Sequence, residues 1–162
     1  MTDDFWSFSL AFYNDATVQD ACLKLQDNHG GDVNVALYLL FRAGTGEVFT
    51  ADQVRDLDAS VAAWRTEVVR TLRGVRRRLK AHAYLPDTEA QESFRSTVKK
   101  LELNAEKLQQ LALEAGAPPP AETGHAPQEA AARNLAAYGA VLGSELPGAL
   151  SSVFRDRLAA IA

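Results

Sequence analysis

The sequence predicts an all-α fold, a single-domain helical bundle, and three observations support this prediction. Apolar residues recur at steps of three and four along most of the chain, which is the spacing of amphipathic helices. Only the segment 5–13 also alternates as a strand would, and no second strand candidate lies nearby to pair with it. Two of the apolar stripes, 57–79 and 94–112, are long, and the short connection between them requires antiparallel packing.

Three shorter helices are predicted before the long pair. The first covers 5–13, and Asp3 and Asp4 supply its N-cap. The second starts near Asp15 or Thr17 and ends at Gly30, where a positive φ is inexpensive for glycine. The third begins after a cap at Asp32 and is apolar almost all round, so we expect it to be central.

Capping and spacing define the two long helices. Thr50 and Gln53 form a capping-box pattern that opens the first, and it ends near His82. Pro86 breaks the chain, and Asp87 caps the second long helix. The predicted buried stripes are Leu57, Val61, Trp64, Val68, Leu72, Val75 and Leu79 on the first helix, and Phe94, Val98, Leu101, Ala105, Leu108 and Ala112 on the second.

The chain divides by composition into a core, a linker and a tail. Residues 1–115 form the predicted helical core, and 116–127 are a Pro-rich linker. Residues 128–162 are Ala-rich helical segments of weaker amphipathicity. So short a segment is too small to build a core of its own. We therefore expect the tail to dock on the core or on a protein partner.

The net charge of −4 is unevenly distributed. Residues 1–56 carry three basic and nine acidic side chains, whereas residues 57–82 carry seven basic and two acidic ones. A basic helix in an acidic protein favours internal charge pairing or a local anion site. It argues against nucleic-acid binding, which usually uses a basic domain.

Composition also excludes several classes of protein. No apolar run is long enough to span a membrane, and the acidic N-terminus is not a signal peptide. Cys22 is the single cysteine, so an internal disulfide or a thiolate-rich zinc site is excluded. The expected location is the cytoplasm.

A polar cluster interrupts the apolar stretch LQDNHGGDVNVALYLLF (25–41). Asp27, His29 and Asp32 are residue types that bind divalent metals. Their spacing does not fit an EF-hand, which would need a glutamate where Tyr38 stands, and no HExxH or CxxC motif occurs. Because a turn between two helices already requires these residue types, we predict neither a metal nor a cofactor here.

Turn chemistry does not account for Asp27 and Asn34. Asn34 lies early in the most apolar helix, where a buried amide needs partners. Arg65 and Arg76 border the apolar stripe of the basic helix and can reach inward from it. Two interpretations stay open: ion pairs with Asp27 or Asp32, or arginines that hold a small carboxylate or phosphate. The candidate ligand-binding residues are Asp27, Asp32, Asn34, Arg65 and Arg76.

The N-terminal half carries a combination of sequence motifs. DFWSFSLAFY, ACLKLQDNHGGDVNVALYLLF and WRTEVVRTLRGVRRRLK follow one another in order. In these motifs the chain resembles an uncharacterised family of small proteobacterial proteins with the pattern FW-x-FSL, ACL-x-LQD and G-x-DVN. The resemblance implies that the N-terminal half is the defined module and the tail an accessory. It implies no activity, cofactor or catalytic residue.

Two function classes remain open, because the sequence contains no nucleophile-elbow or phosphate-loop motif that would indicate an enzyme. The first is a helical accessory or adaptor protein that binds a protein partner or a second copy of itself. The second is a protein or enzyme that binds a small anionic ligand in a pocket between the N-terminal helices and the Arg-rich helix. RNA binding through the outer arginines is disfavoured, because no aromatic residues interleave with them.

Overall fold

The structure, a computed structural model, describes residues 4–162 and confirms the all-α prediction. The only β pairing among these residues is an isolated bridge between Val48 and Glu122. Within them, no helix is long and apolar enough to cross a membrane. The elements are α1 (Phe5–Tyr13), α2 (Ala16–His29), α3 (Val33–Ala43), α4 (Ala51–Trp64), a π-helical turn (Arg65–Val69), α5 (Arg70–Ala81), α6 (Thr88–Gly116), α7 (Pro127–Leu142) and α8 (Gly148–Ile161).

Aspartate side chains cap the first three helices, as the sequence predicts. The Asp4 carboxylate accepts a hydrogen bond from the Ser7 amide at 2.9 Å, and Asp3 lies outside the described residues. Asp15 accepts from the third amide of α2, and Asp32 accepts from the Asn34 amide at 2.8 Å. Each cap satisfies an N–H group that has no partner inside its helix.

The two glycines between α2 and α3 have different roles. Gly30 ends α2 with φ 68°, a left-handed conformation in which glycine carries no steric cost. Gly31 is buried, and a Cβ on it would lie 2.7 Å from the Leu25 side chain. The pair therefore turns the chain tightly and delivers Asp32 to the protein interior.

Helix α3 is the centre of the core, and the C-terminal helices cover it. α7 packs on α3 and α4, and α8 packs on α2 and α7. The buried Asn134 on α7 accepts a hydrogen bond from the Phe49 amide and donates to the carbonyls of Leu39 and Glu47. It thereby satisfies three backbone groups around α3. The division of the chain into core, linker and tail stays a prediction.

The Pro-rich segment 116–127 is held to the core by backbone hydrogen bonds. The Val48 amide donates to the Glu122 carbonyl at 2.9 Å, and the His125 amide donates to the Gly46 carbonyl at 3.1 Å. Gly46 has φ 79°, and a Cβ there would lie 2.4 Å from the His125 carbonyl oxygen. This close approach explains why a glycine occupies that position.

One expectation for the first long helix is wrong. The sequence predicts an uninterrupted stripe with Trp64 and Val68 facing inward, but the π-helical turn adds a residue and shifts the inward face. Val69 is buried instead, at 3% exposure, and Trp64 is 37% exposed. The Trp64 indole N–H donates to the Ala105 carbonyl at 2.9 Å, so the ring lies on the edge of the contact with α6.

The predicted stripe of the second long helix is confirmed at Val98 and Ala105, both buried, and is wrong at three other positions. Phe94, Leu101 and Leu108, expected in the interior, are 60%, 52% and 47% exposed. Polar side chains are buried as well, because each finds a polar partner. Glu102 pairs with arginines of α5, and Gln91 donates to the carbonyls of Leu79 and His82. Gln109 and Gln110 bond to Asp32, Ser9 and Asn34. The buried residues of α6 are Gln91, Val98, Glu102, Ala105, Gln109, Gln110 and Leu113.

Candidate functional site

A cavity of about 220 Å³ lies between the N-terminal helices on one side and the π-helical turn with α6 on the other. Part of the lining is apolar, from side chains such as Trp6, Leu10 and Leu37. The polar and charged lining residues form the other part, called here the polar wall: Ser9, Gln26, Asp32, Asn34, Arg65, Arg70, Arg73, Glu106, Gln109 and Gln110.

Asp32 is the anchor of the polar wall and is 8% exposed. One carboxylate oxygen, Oδ1, caps α3, as described above. The other, Oδ2, accepts from Arg65 Nε at 2.5 Å and from Gln109 Nε2 at 2.6 Å. A single turn residue thus connects α3, the π-helical turn and α6, and it holds the polar wall in place.

Arg65 links Asp32 to a second carboxylate. Its Nη2 donates to Asp58 Oδ1 at 2.7 Å. Burial acts to lower the pKa of Arg65, but the negative charges of Asp32 and Asp58 have the larger combined effect and raise it. The guanidinium therefore stays charged. Arg65 is therefore the cation of a closed network between two acids.

Tyr138 closes the network from α7. Its hydroxyl oxygen accepts from the Asp32 amide at 2.6 Å, and the hydroxyl donates to Asp58 Oδ1 at 3.3 Å. Burial raises the pKa of the phenol, so the group is neutral and serves as donor and acceptor.

Gln110 has an unsatisfied acceptor at the cavity. Its Nε2 donates to Ser9 Oγ and to Asn34 Oδ1, both at 3.0 Å. Its Oε1 is buried and has no hydrogen-bond partner among residues 4–162, although the residue is only 3% exposed. An unpaired buried acceptor costs about 1–3 kcal/mol. A donor on a bound molecule would recover that cost if the amide turned its oxygen toward the cavity.

The charged residues at the edge of the cavity belong to α5 and α6. Arg73 pairs with Glu102 and Glu106, each at 3.2 Å. Burial raises the pKa of Glu106, and Arg73 works against this shift. Arg70 is exposed and has no ion pair among the described residues. The edge of the cavity therefore favours an anionic group.

The predicted candidate residues divide into two groups. Asp32, Asn34 and Arg65 line the cavity, and Arg65 is bonded to Asp32. Asp27 is exposed on α2 and does not line it. Arg76 bonds to Glu102 on the contact between α5 and α6 and does not line it either.

Sequence reasoning missed four side chains of the cavity and of the network around Asp32: Asp58, Gln109, Gln110 and Tyr138. Each lies far along the chain from Asp32. Asp58, Gln109 and Gln110 also lie outside the apolar stripes that were predicted to face the interior. The one usable signal was the expected need of Asn34 for amide partners; the side chain is half-buried, and Gln110 donates to it.

Cys22 also lines the cavity wall, but as a neutral thiol. Burial raises its pKa to about 12, so the thiolate is not populated at neutral pH. No group of three or more histidine, cysteine, aspartate or glutamate side chains within residues 4–162 is arranged to hold a metal ion. The chemistry that the described cavity offers is hydrogen bonding, charge and apolar contact.

Comparison with known proteins assigns most of the chain to one family. Residues 4–113 match the family described as a protein of unknown function (DUF2390). The chain belongs to this family. The matched segment contains every residue that lines the cavity and ends before α7. No curated protein and no solved structure matches the chain.

Proposed function

We propose that the protein binds a small organic anion that carries an N–H or O–H donor, in the cavity between α1, α3, the π-helical turn and α6. The observation that supports this most strongly is Gln110, a residue of the cavity lining whose buried Oε1 has no hydrogen-bond partner among the described residues. The Gln110 amide turns toward the cavity on binding, so that the ligand's donor satisfies this oxygen. An analogue without the donor leaves the buried acceptor of Gln110 unpaired, so it binds less tightly than the ligand that carries the donor.

The rest of the cavity supports the other two features of the ligand. Its anionic group faces Arg70, the arginine at the cavity edge that no carboxylate neutralises within the described residues. Its apolar body lies against Trp6 and Leu10. A few placed polar groups on a largely apolar cavity are typical of sites for small molecules.

A function through protein contacts is the second candidate, and one observation favours it. Leu135, Tyr138 and Phe154 of the C-terminal helices are buried in the core, so the tail does not present these side chains to a partner. Apolar side chains are exposed instead on the hairpin of α5 and α6, where Phe94 is the most exposed. A protein contact therefore belongs on the hairpin.

Two carboxylic acids of similar shape test the ligand proposal. Indole-3-acetate has an N–H donor and 1-naphthylacetate has none, and each is titrated into the full chain while amide chemical shifts are followed by NMR. We expect the indole acid to bind more tightly, by roughly 2- to 10-fold, which corresponds to one net hydrogen bond. The shifted amides should be those of α1, α3 and α6.

A matched pair of leucines on α6 controls for non-specific binding. Leu103 lines the cavity and Leu111 does not, and they are 50% and 53% exposed. Leu103→Trp should abolish the shifts, because the larger ring fills the cavity, whereas Leu111→Trp should leave them unchanged. Absence of binding by both acids, or equal binding to both variants, would overturn the proposal.

A further inference from the structure

A row of basic side chains leads away from the cavity along α5. Arg70 and Arg73 both line the cavity. Arg77 follows Arg70 by seven residues, so it lies within about 20° of Arg70 around the helix and about 10 Å farther along it. Arg77 therefore shares the face of α5 that borders the cavity, two turns closer to the connection with α6.

Lys99 lies on the flank of α6 that borders the cavity. It precedes Leu103 by four residues and Glu106 by seven, and both of those residues line the cavity. Residues at these spacings share one face of a helix. Lys99 and Arg77 thus border the same side of the α5–α6 hairpin, one from each helix. We call the surface between them the basic groove.

Hydrogen bonds between the two helices set the relative level of these cations. Trp64 and Gln91 fix the register near the two ends of the contact. This register places Arg77 about 9 Å from Lys99 along the hairpin axis. Helical side chains lean toward the N-terminus of their own helix. Because the helices are antiparallel, Arg77 leans toward the cavity and Lys99 leans toward Arg77, so their charged ends approach each other.

The cations of the basic groove are not neutralised by the protein. Arg70, Arg77 and Lys99 are exposed, and none of them has an ion pair among residues 4–162. The acids within two turns of Lys99 on its face of α6 are each bonded to an arginine: Glu92, Glu102 and Glu106. Unpaired cations of one sign beside a cavity concentrate anions there. Their number favours a ligand with more than one negative charge.

The cavity holds only the head of such a ligand. An apolar cavity of about 150 Å³ accommodates benzene, so the volume of about 220 Å³ accommodates one ring system. Trp6 and Tyr13 belong to the lining and offer aromatic contact to a flat ring. The remainder of the ligand then lies outside, on the side where Arg70 leads to the basic groove.

We propose that the ligand is a nucleoside polyphosphate, an inference that rests on the proposed function of the cavity. The base lies in the cavity, and one of its N–H groups satisfies Gln110. The first phosphate lies at Arg70, and the further phosphates lie in the basic groove between Arg77 and Lys99. Guanidinium groups match phosphate oxygens in geometry and charge, and a row of phosphates matches a row of cations.

A series of adenosine phosphates tests the number of charges. Adenosine monophosphate, diphosphate and triphosphate are titrated into the full chain by calorimetry, with EDTA present to remove metal ions. We expect the triphosphate to bind roughly 3- to 10-fold more tightly than the monophosphate, because two exposed cations gain partners. Added salt should reduce this advantage. Equal affinity for the three compounds would overturn the proposal.

Neighbouring residues on each helix provide matched controls for the position of the phosphates. Arg77→Ala and Lys99→Ala should each lower the affinity for the triphosphate more than that for the monophosphate. Arg78 and Lys100 are also exposed, but they lie about 100° away around their helices. Arg78→Ala and Lys100→Ala should therefore keep the preference for the triphosphate. Equal losses in all four variants would show general attraction of anions and would contradict the site.

The titration with indole-3-acetate separates this inference from the proposed function. If the indole acid binds in the cavity and the adenosine phosphates do not, only the nucleoside polyphosphate is ruled out. If neither the indole acid nor any adenosine phosphate binds, both the inference and the proposed function fail.

Discussion

Asp32 shows how one residue can have both a local and a long-range role. Any turn of this kind needs an N-cap, and its carboxylate supplies one through the Asn34 amide. Its second oxygen bonds to Arg65 and Gln109, which come from two other helices. The N-cap can be predicted from the local sequence. The hydrogen bonds to Arg65 and Gln109 cannot, because they depend on how the helices pack against one another.

Replacing Asp32 separates these two roles. Asp32→Ala should lower the free energy of unfolding by about 3–5 kcal/mol, because it leaves Arg65 buried with one carboxylate fewer. Asp15→Ala removes a cap that has no such partners, and it should cost about 1 kcal/mol. Urea unfolding measures both values. Equal losses for the two variants would show that Asp32 is only a cap.

At the scale of elements, the π-helical turn explains the main errors of the sequence prediction. The spacing of three and four between apolar residues does not reveal the extra residue of a π-helical turn. The sequence therefore predicts Trp64 and Val68 in the interior. The turn moves Val69 inward and places Arg65 beside Asp32. π-helical turns occur frequently at functional sites, and here the turn forms part of the cavity wall.

The contact between α5 and α6 is predicted to depend on pH through Glu102. Burial works to raise the pKa of Glu102, but hydrogen bonds from Arg76 and Arg73 outweigh it and the pKa is lowered. Its stabilising effect is therefore complete above the ordinary glutamate pKa of about 4.3 and is lost as pH falls through the lowered value. Glu102→Gln removes this dependence.

Urea unfolding at two pH values measures the effect. At pH 7, Glu102→Gln should be about 2 kcal/mol less stable than the wild type, because both arginines lose a charged partner but remain partly in water. Near pH 3 the difference should shrink. Glu145→Gln, on an exposed loop, should match the wild type throughout. A difference that persists at pH 3 would contradict the assignment.

At the scale of the whole molecule, the C-terminal helices complete the core. Tyr138 bonds to the Asp32 amide, and Asn134 satisfies three backbone groups around α3. The matched family segment ends at residue 113, yet the cavity's anchor depends on a side chain beyond that point. The tail is thus structurally coupled to the site.

Deletion of residues 117–162 tests this coupling. The shortened chain would expose the surface of α3 that α7 covers. It would also leave buried backbone groups unpaired, each at a cost of about 1–3 kcal/mol. We expect a loss of cooperative thermal unfolding and of NMR dispersion. A deletion variant with a sharp transition near that of the wild type would instead show an independent core.

Local patterns predicted the helices, their caps and the order of elements, because these depend on neighbouring residues. Asp32 and Asn34 line the cavity for the same reason, because the turn and the helix after it fix them, whereas Arg65 reaches the cavity through the π-helical turn. The partners of Arg65 and Arg76, and the amides of Gln109 and Gln110, depend on the register between α5 and α6. One extra residue in the π-helical turn sets that register.

A crystal structure of the full chain grown with indole-3-acetate tests the central claim, that the cavity binds a donor-bearing anion, most directly. The account predicts the ring in the cavity, its N–H within hydrogen-bond distance of Gln110 Oε1, and its carboxylate on the side of Arg70. A cavity without the acid, or a Gln110 Oε1 bonded to a protein donor, would contradict it.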